Sequence, residues 1–183
     1  MALLHTPQIQ DHFAAPDFTL KSTAGDMVTF EDIRGENGTV VAFICNHCPY
    51  VLAIIERFVQ CAVRLQDQKI GVVAIMSNDT DAYPEDNFEN MQTFAKAHTF
   101  SFPYLLDESQ DIAQAYNAVC TPDIFGFNAD NQLHYRGRLD SAGPNAADIH
   151  TQPELLHAMI EIAKSGKGPD QQTPSMGCSL KWK

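Results

Sequence analysis

The chain has 183 residues, of which 44% are hydrophobic and 19% are charged, a composition typical of one globular domain with a single core. Its formal net charge is −11 and its pI is near 4.8. This excess of negative charge disfavours binding to nucleic acid or to an anionic membrane surface, because both require a positive patch. We therefore expect neither a nucleic-acid nor a membrane partner.

The amino-terminal segment and the cysteines point to a cellular compartment. Residues 1–18 contain neither the basic region nor the long apolar region of a secretory signal, and no later apolar run is long enough to cross a bilayer. These features predict a cytoplasmic protein. A reducing compartment disfavours structural disulfides, so closely spaced cysteines there indicate catalysis or metal binding. The cysteines of the chain are Cys45, Cys48, Cys61, Cys120 and Cys178.

The first half of the chain predicts a hairpin followed by a β-α-β unit. Two short β-rich runs within 18–30 surround a turn at Gly25, as in a β-hairpin. The continuous apolar run at 39–44 predicts a strand that is buried on both faces. At 49–65, apolar residues recur at spacings of three and four, which predicts an amphipathic helix. A second buried strand at 70–76 completes a unit that we expect to be parallel and right-handed.

The second half adds shorter elements. In order, a helix, a strand, a short helix, a β-hairpin and a last helix are predicted at 87–97, 102–107, 112–116, 123–137 and 155–163. The whole order predicts an α/β domain at 1–166, with a central mixed sheet, helices on both of its faces and an added N-terminal β-hairpin. The C-terminal tail, 167–183, shows no periodicity and is expected to be flexible.

A pair of cysteines in "FICNHCPYV", residues 43–51, falls between the first buried strand and the helix after it. A thiolate at a helix start is stabilised by unpaired amides and by the helix dipole, so its pKa falls. A second thiol one turn away can attack a mixed disulfide and release the product. Cys45 and Cys48 are therefore predicted to be catalytic. His47 either stabilises the thiolate as an imidazolium or is an exposed loop histidine.

Inert packing and zinc binding are weaker hypotheses for this pair. In the first hypothesis the cysteines pack under the helix and do not react. In the second, Cys45, His47 and Cys48 bind a zinc ion. Neither a second C-x-x-C nor a pair of histidines follows at zinc spacing, and a core of this size does not need a structural ion. We predict a redox site that holds neither a metal nor another cofactor.

Further motifs accompany the pair. They are "SND" and "YPED" within 77–86, "CTPD" at 120–123, "YRGRLD" at 135–140 and "GCSLKWK" at 177–183. With them the chain resembles, over nearly its whole length, the peroxiredoxin-like (AhpC/TSA-related) thiol-disulfide oxidoreductase group of the thioredoxin-fold superfamily. The resemblance implies a thioredoxin-like fold. It also implies a cis peptide bond between Thr121 and Pro122, which would face the cysteines, contact the substrate backbone and keep metal ions away.

The chain departs from the better-known members of this superfamily. Ile44 stands where thioredoxins have tryptophan, and the peroxiredoxin pattern P-x-x-x-T-x-x-C lacks its proline and threonine whether it is counted from Cys45 or from Cys48. The resemblance also fits in two registers. Either the two cysteines form the thioredoxin-type pair, or Phe43 matches the aromatic residue five positions before the first thioredoxin cysteine. In the second register Cys48 is the nucleophile and Val51 takes the resolving position.

Three more residues are candidates with open alternatives. Cys120 is either a third redox partner or a buried loop cysteine. Cys178 either folds back as a resolving thiol or is exposed on the tail. Arg138, like Arg136, either stabilises a thiolate or an anionic substrate, or is an ordinary exposed strand residue. Cys61 falls on the apolar side of a helix and is expected to lie in the core.

These features predict a thiol-disulfide oxidoreductase. Cys48 or Cys45 attacks a disulfide or an oxidised sulfur, the other resolves the intermediate, and Thr121 and Pro122 position the substrate. The expected partners are a thiol reductant, either a protein or a small molecule, and an oxidised substrate. One alternative is a thiol peroxidase with antioxidant activity that forms a sulfenic acid on Cys48. Another is a non-catalytic redox sensor or binding module whose disulfide alters the tail or a partner surface.

Overall fold

The computed structural model describes residues 2–7 and 13–183 of the chain. In chain order, the elements of these ranges are β1 (Leu3–His5), β2 (Thr19–Ser22), β3 (Met27–Thr29), α1 (Phe30–Ile33), β4 (Thr39–Phe43), α2 (Pro49–Gln66), β5 (Gly71–Met76), a 3₁₀ helix (Pro84–Asp86), α3 (Phe88–Ala97), β6 (Tyr104–Leu106), α4 (Asp111–Ala115), β7 (Cys120–Thr121), β8 (Asp123–Phe127), β9 (Leu133–Arg136), α5 (Glu154–Ser165) and β10 (Met176–Ser179).

Within residues 2–7 and 13–183 the strands form two sheets, and the larger one is mixed with the strand order β3-β2-β6-β5-β4-β8-β9. β4 pairs in parallel with β5 and antiparallel with β8, so the predicted β-α-β unit lies near the middle of the sheet. The β2–β3 and β8–β9 hairpins are antiparallel, as their turn sequences predict. The predicted central mixed sheet with an added N-terminal hairpin is therefore confirmed.

Side chains of the central strands divide the core into two layers. Val40 and Ala42 of β4 point to the face that α2, α3 and α5 cover, whereas Val41 and Phe43 point to the face that α1 and α4 cover. This alternation follows from the two-residue period of a strand, and the full burial of β4 explains why its sequence is apolar at nearly every position. The prediction of helices on both faces is confirmed.

Helix α2 begins where the sequence predicts. Pro49 is its first residue, a position where the missing amide of proline costs no hydrogen bond, and Cys48 is its N-cap. The apolar side of α2 lies against the sheet, including Phe58 and Leu65, which are almost completely buried. In the described ranges, the helices are too short or too polar to cross a membrane. The strand–helix junction thus brings the cysteine pair to one end of the sheet.

A second, three-stranded sheet was not predicted. Its order is β1-β10-β7, and its central strand β10 comes from the tail that was expected to be flexible. β10 lies antiparallel to β7, with Cys178 opposite Thr121 and Ser179 opposite Cys120. On its other edge, Leu3 of β1 lies opposite Cys178. The last residues of the chain are therefore folded against the domain, and the expectation of a flexible tail is wrong for this strand.

Gly177 permits this close pairing. A Cβ atom at this position would lie 2.0 Å from the carbonyl oxygen of Thr121, which is a backbone atom that cannot turn aside. Hydrogen bonds fix the chain on either side of Gly177. Ser175 Oγ donates to the carbonyl oxygen of Pro122 at 2.8 Å, and the amide of Lys181 donates to Oδ1 of Asn78 at 2.9 Å. Only glycine fits here while β10 keeps this position.

The variant Gly177→Ala is expected to lower the free energy of unfolding by about 1–3 kcal/mol, because the added methyl group must push β10 away from β7. Urea unfolding followed by circular dichroism measures the effect. Met176→Leu, a volume-conserving change in the same strand, serves as the control and should unfold near the wild-type midpoint. An unchanged midpoint for Gly177→Ala would show that β10 does not pack against Thr121.

Candidate active site

The loop at 44–48 brings both cysteines of the pair against Thr121. The Cys48 thiol donates a hydrogen bond to the carbonyl oxygen of Thr121 at 3.1 Å, and Cys45 Sγ lies 3.4 Å from Thr121 Oγ1. The peptide bond between Thr121 and Pro122 is cis, as the resemblance implied. The residues that the sequence singled out for attack and for substrate positioning therefore lie together.

Hydrogen bonds make the two thiols of the pair unequal. The neighbouring Cys45 thiol, acting as a donor, is the main reason why the pKa of Cys48 falls well below its ordinary value. The side chain of Thr121 and the amides of Cys178 and Val51 lower this pKa further, against the effect of burial. The same contact raises the pKa of Cys45, and burial and the nearby Asp86 carboxylate raise it further. Cys48 therefore ionises first.

A third thiol, that of Cys178, completes the cluster. Its side chain packs in the same buried cluster as Cys48, and its pKa is raised to about 11, first by burial and then by the contact with Cys48. The side chain is only 6% exposed, which excludes the alternative of a solvent-exposed tail cysteine. Cys178 folds back onto the site, so Cys48 has one thiol on the loop before it and another on the C-terminal strand.

A buried carboxylate beside the pair was not singled out from the sequence. Asp86 is fully buried, and its two oxygens accept hydrogen bonds from the Asn46 amide and from Asn78 Nδ2, each at 2.8 Å. Asn46 is held in turn by the hydroxyl of Tyr104, which donates to its Oδ1 at 3.0 Å. The motif "YPED" contains Asp86, but a polar loop sequence does not reveal which of its carboxylates is buried. The network fixes the loop that carries the cysteines.

His47 packs in this network rather than projecting freely from the loop. Its ring stacks on that of Tyr83, with the planes 3° apart, and its Nδ1 lies 2.8 Å from Oδ2 of Asp86 without the alignment of a hydrogen bond. The predicted alternative of a simply exposed histidine does not describe this half-buried ring. Its charged neighbour is the Asp86 carboxylate, which also lies close to Cys45.

Cys45, His47 and Asp86 each offer one possible metal-ligand atom, and the three atoms lie within 4.8 Å of one another. Two of the three residues, Asp86 and Cys45, are already engaged with other groups. Both oxygens of Asp86 accept hydrogen bonds, and the Cys45 thiol is shared with Cys48 and Thr121. A metal ion would have to displace these contacts in order to bind. That the site holds no metal remains a prediction from the sequence.

A cleft of about 330 Å³ adjoins the site on the side of Pro122. Its lining is mostly apolar and includes Tyr50, Ile54, Pro122, Leu139 and Met176. Arg138 also lines the cleft, but its guanidinium makes a two-pronged pair with the Glu154 carboxylate at 2.7 and 2.8 Å. Arg136 is buried and bonded to Asp123. Both arginines are therefore paired with carboxylates, and the cleft suits an uncharged or apolar group.

The two remaining cysteines are placed as ordinary core residues. Cys120 is fully buried in β7, with its thiol directed at the carbonyl oxygen of Pro122 at 3.6 Å, and burial raises its pKa. Cys61 is buried on α2, as predicted, and burial raises its pKa to about 12. Such thiols remain protonated near neutral pH and are poor nucleophiles. For Cys120 this favours the alternative of a buried structural cysteine.

Known proteins resemble this chain over its full length. It is similar to an uncharacterized conserved protein from Geobacillus kaustophilus, with 39% identity, a TM-score of 0.93, and coverage of 100% of this chain and 97% of the other. It is also similar to a hypothetical protein from Sinorhizobium meliloti 1021, with 36% identity, a TM-score of 0.91 and coverage of 98% of each chain.

More distant relatives agree on the fold. The thioredoxin-like protein YneN of Bacillus subtilis is 28% identical over 119 residues, which are 64% of this chain and 65% of that protein. A secreted disulfide oxidoreductase from Mycobacterium tuberculosis, homologous to DsbE of Escherichia coli, is 21% identical with a TM-score of 0.54, over 63% of this chain and 79% of the other. These likenesses confirm the thioredoxin-like fold. The AhpC/TSA family model matches residues 13–136, and the chain therefore belongs to the AhpC/TSA family.

Proposed function

We propose that the protein is a thiol-disulfide oxidoreductase in which Cys48 is the attacking thiolate. The observation that carries this proposal is the position of Cys48 at the N-cap of α2, packed against Thr121, in surroundings that lower its pKa. A thiol held in this way is charged near neutral pH and able to attack sulfur. Pro49 in the first turn fits either register, but the place of Cys48 at the N-cap, with Val51 in the first turn, supports the second of the two.

The first chemical step follows from this arrangement. The Cys48 thiolate attacks one sulfur of a substrate disulfide, the S–S bond breaks, and the departing sulfur leaves as a thiolate. A second thiol of the site then loses its proton and attacks Cys48 Sγ, which releases the other half of the substrate as a thiolate. The protein ends with one internal disulfide and the substrate with two thiols. Cys45 is the resolving thiol that the sequence predicts, and an external thiol reductant restores the protein.

Burial limits which substrates reach Cys48. The residue has no exposed surface, and the backbone of Thr121 is already paired with β10. Pro122 lines the apolar cleft, so this cleft is the proposed route for a small disulfide or an extended peptide segment. The cytoplasmic location and a thiol reductant as partner remain predictions from the sequence.

A thiol peroxidase is the second candidate function. A buried thiolate admits a small oxidant more readily than a folded protein, and Cys45 occupies the place of the threonine in the peroxiredoxin pattern when it is counted from Cys48. In that place it donates a hydrogen bond to the thiolate. In this reaction the peroxide would transfer one oxygen to Cys48 and form a sulfenic acid.

The pKa of Cys48 is open to a direct test. Thiolate absorbance near 240 nm, measured against pH as the difference between wild type and Cys48→Ser, should appear well below the ordinary thiol pKa of 9.0. Because the charged form is the stabilised one, the signal is present above the lowered pKa and is lost as the pH falls through it. Cys45→Ala removes a donor and should move the step to higher pH. A step that stays near 9 in the wild type would contradict the assignment of Cys48.

Activity separates the candidate functions. Wild-type protein is expected to reduce glutathione disulfide with dithiothreitol as the electron source, and Cys48→Ser should lose this rate by about 100-fold or more. Cys61→Ala, a change at a buried thiol away from the site, is the control and should keep the wild-type rate. Hydrogen peroxide consumption is measured in parallel. Peroxide turnover without disulfide reduction would favour the peroxidase, and the absence of both reactions would favour the redox sensor.

A further inference from the structure

Cys178 meets Cys48 through both its backbone and its side chain. Both residues pack in the same buried cluster and both meet Thr121, and each influences the other, since the Cys178 amide favours the Cys48 thiolate and the contact with Cys48 helps to raise the pKa of Cys178. Cys48 therefore has two thiol neighbours rather than one. In the register that the structure supports, the usual resolving position is held by Val51, which has no thiol, so the resolving sulfur must come from elsewhere.

The strand that carries Cys178 is held firmly in place. Cys178 lies opposite Thr121, the same residue whose carbonyl oxygen accepts the hydrogen bond from Cys48. On the far side of Cys178, the Leu180 amide donates to the carbonyl oxygen of Val119 at 3.1 Å. The contact between the two thiols is thus built into the sheet pairing and does not depend on a loose terminus.

We propose that Cys178 is the resolving cysteine, so that oxidation closes a disulfide between Cys48 at the start of α2 and Cys178 in the C-terminal strand. This inference rests on the proposed function and changes one part of it. Cys45 then acts as a hydrogen-bond donor that positions and stabilises the Cys48 thiolate. The sequence allowed Cys178 to take this role only as one of two alternatives.

The step balances as a thiol-disulfide exchange. After Cys48 has attacked a substrate disulfide, it carries a mixed disulfide and no charge. Cys178 gives its proton to solvent, its thiolate attacks Cys48 Sγ, and the bond from Cys48 to the substrate breaks. The substrate half leaves as a thiolate and takes up a proton. Two thiols of the protein have been oxidised to one disulfide, and one substrate disulfide has been reduced to two thiols.

Two differences favour Cys178 over Cys45 for this step. Once Cys48 has reacted, its charge no longer opposes the ionisation of either neighbour. Cys45 still faces the Asp86 carboxylate, which disfavours a second negative charge, whereas Cys178 faces Lys181, which favours one. Cys178 is also 6% exposed, against 1% for Cys45, so a reductant reaches a disulfide that includes Cys178 more easily.

Two matched variants test this proposal, with glutathione disulfide as the oxidant. Cys45→Ser keeps a hydroxyl donor beside Cys48 and is still expected to join Cys48 to Cys178 in the internal disulfide. Cys178→Ser should instead stop at glutathione bound to Cys48, with about tenfold more of this adduct than wild type. Peptide mass spectrometry under non-reducing conditions identifies each bond, and in wild type it should find Cys48 joined to Cys178 without the need for any variant.

The outcomes distinguish this inference from the function on which it rests. If wild type forms a Cys45–Cys48 disulfide and Cys45→Ser accumulates the glutathione adduct, the role of Cys178 is refuted and the oxidoreductase stands. If wild type neither binds glutathione nor closes a disulfide, both proposals fail. Thermal unfolding of each variant, with Cys61→Ala as a buried-cysteine control, shows whether a loss of disulfide formation reflects a loss of folding.

Discussion

The contact between Cys48 Sγ and the carbonyl oxygen of Thr121, which lie 3.1 Å apart, joins the two sheets of the described residues, and it is a hydrogen bond only while Cys48 keeps its proton. Cys48 follows β4 of the large sheet, and Thr121 belongs to the small sheet. The hydroxyl of Thr121 faces Cys45, and its backbone pairs with that of Cys178. One residue therefore contacts or aligns all three thiols of the cluster. The position of each sulfur depends on how β7 sits against the start of α2.

Burial of a charge beside this cluster requires compensation, and the polar loop after β5 provides it. A carboxylate in the interior is tolerated only when hydrogen bonds or opposite charges replace its water. Asp86 has two N–H donors and the ring of His47. One donor side chain, Asn78, also accepts from the Lys181 amide. The network thus ties the cysteine loop, the "YPED" loop and the C-terminal segment together, and it sets a negative charge on the Cys45 side.

The elements that the sequence predicted well are those whose patterns are local. The strand predicted at 39–44 is marked by a continuous apolar run, and the helix from Pro49 by apolar residues at helical spacing. The two hairpins are marked by β-rich runs on either side of residues that favour turns. The small sheet is different, because its strands have two to four residues and pair ends of the chain that lie far apart in sequence. β10, "MGCS", has no β-branched residue that would mark it as a strand.

The same distinction applies to the candidate site. The spacing of Cys45 and Cys48 before a helix is a local signal, and it identified the reactive region. The contact of Cys178 with Cys48, and the burial of Asp86, arise from pairing across more than thirty residues of chain, which no short motif records. From its sequence alone, a tail rich in glycine, proline and polar residues resembles a flexible segment. In the structure, Asn78 and Thr121 pair with its backbone and fix it in place.

The five thiols of this chain show what makes a cysteine reactive. All are buried, and burial alone disfavours the thiolate. It raises the pKa of Cys61 and of Cys120, neither of which has donors to offset it. Only Cys48 combines a helix start with donors from a thiol and from amides, and only its pKa is lowered. Burial and the contact with Cys48 raise the pKa of both neighbours, burial being the larger cause for Cys178 and the contact the larger cause for Cys45, so the cluster holds one charge at a time. Reaction at Cys48 removes that charge and frees a neighbour to ionise, which gives the exchange its order.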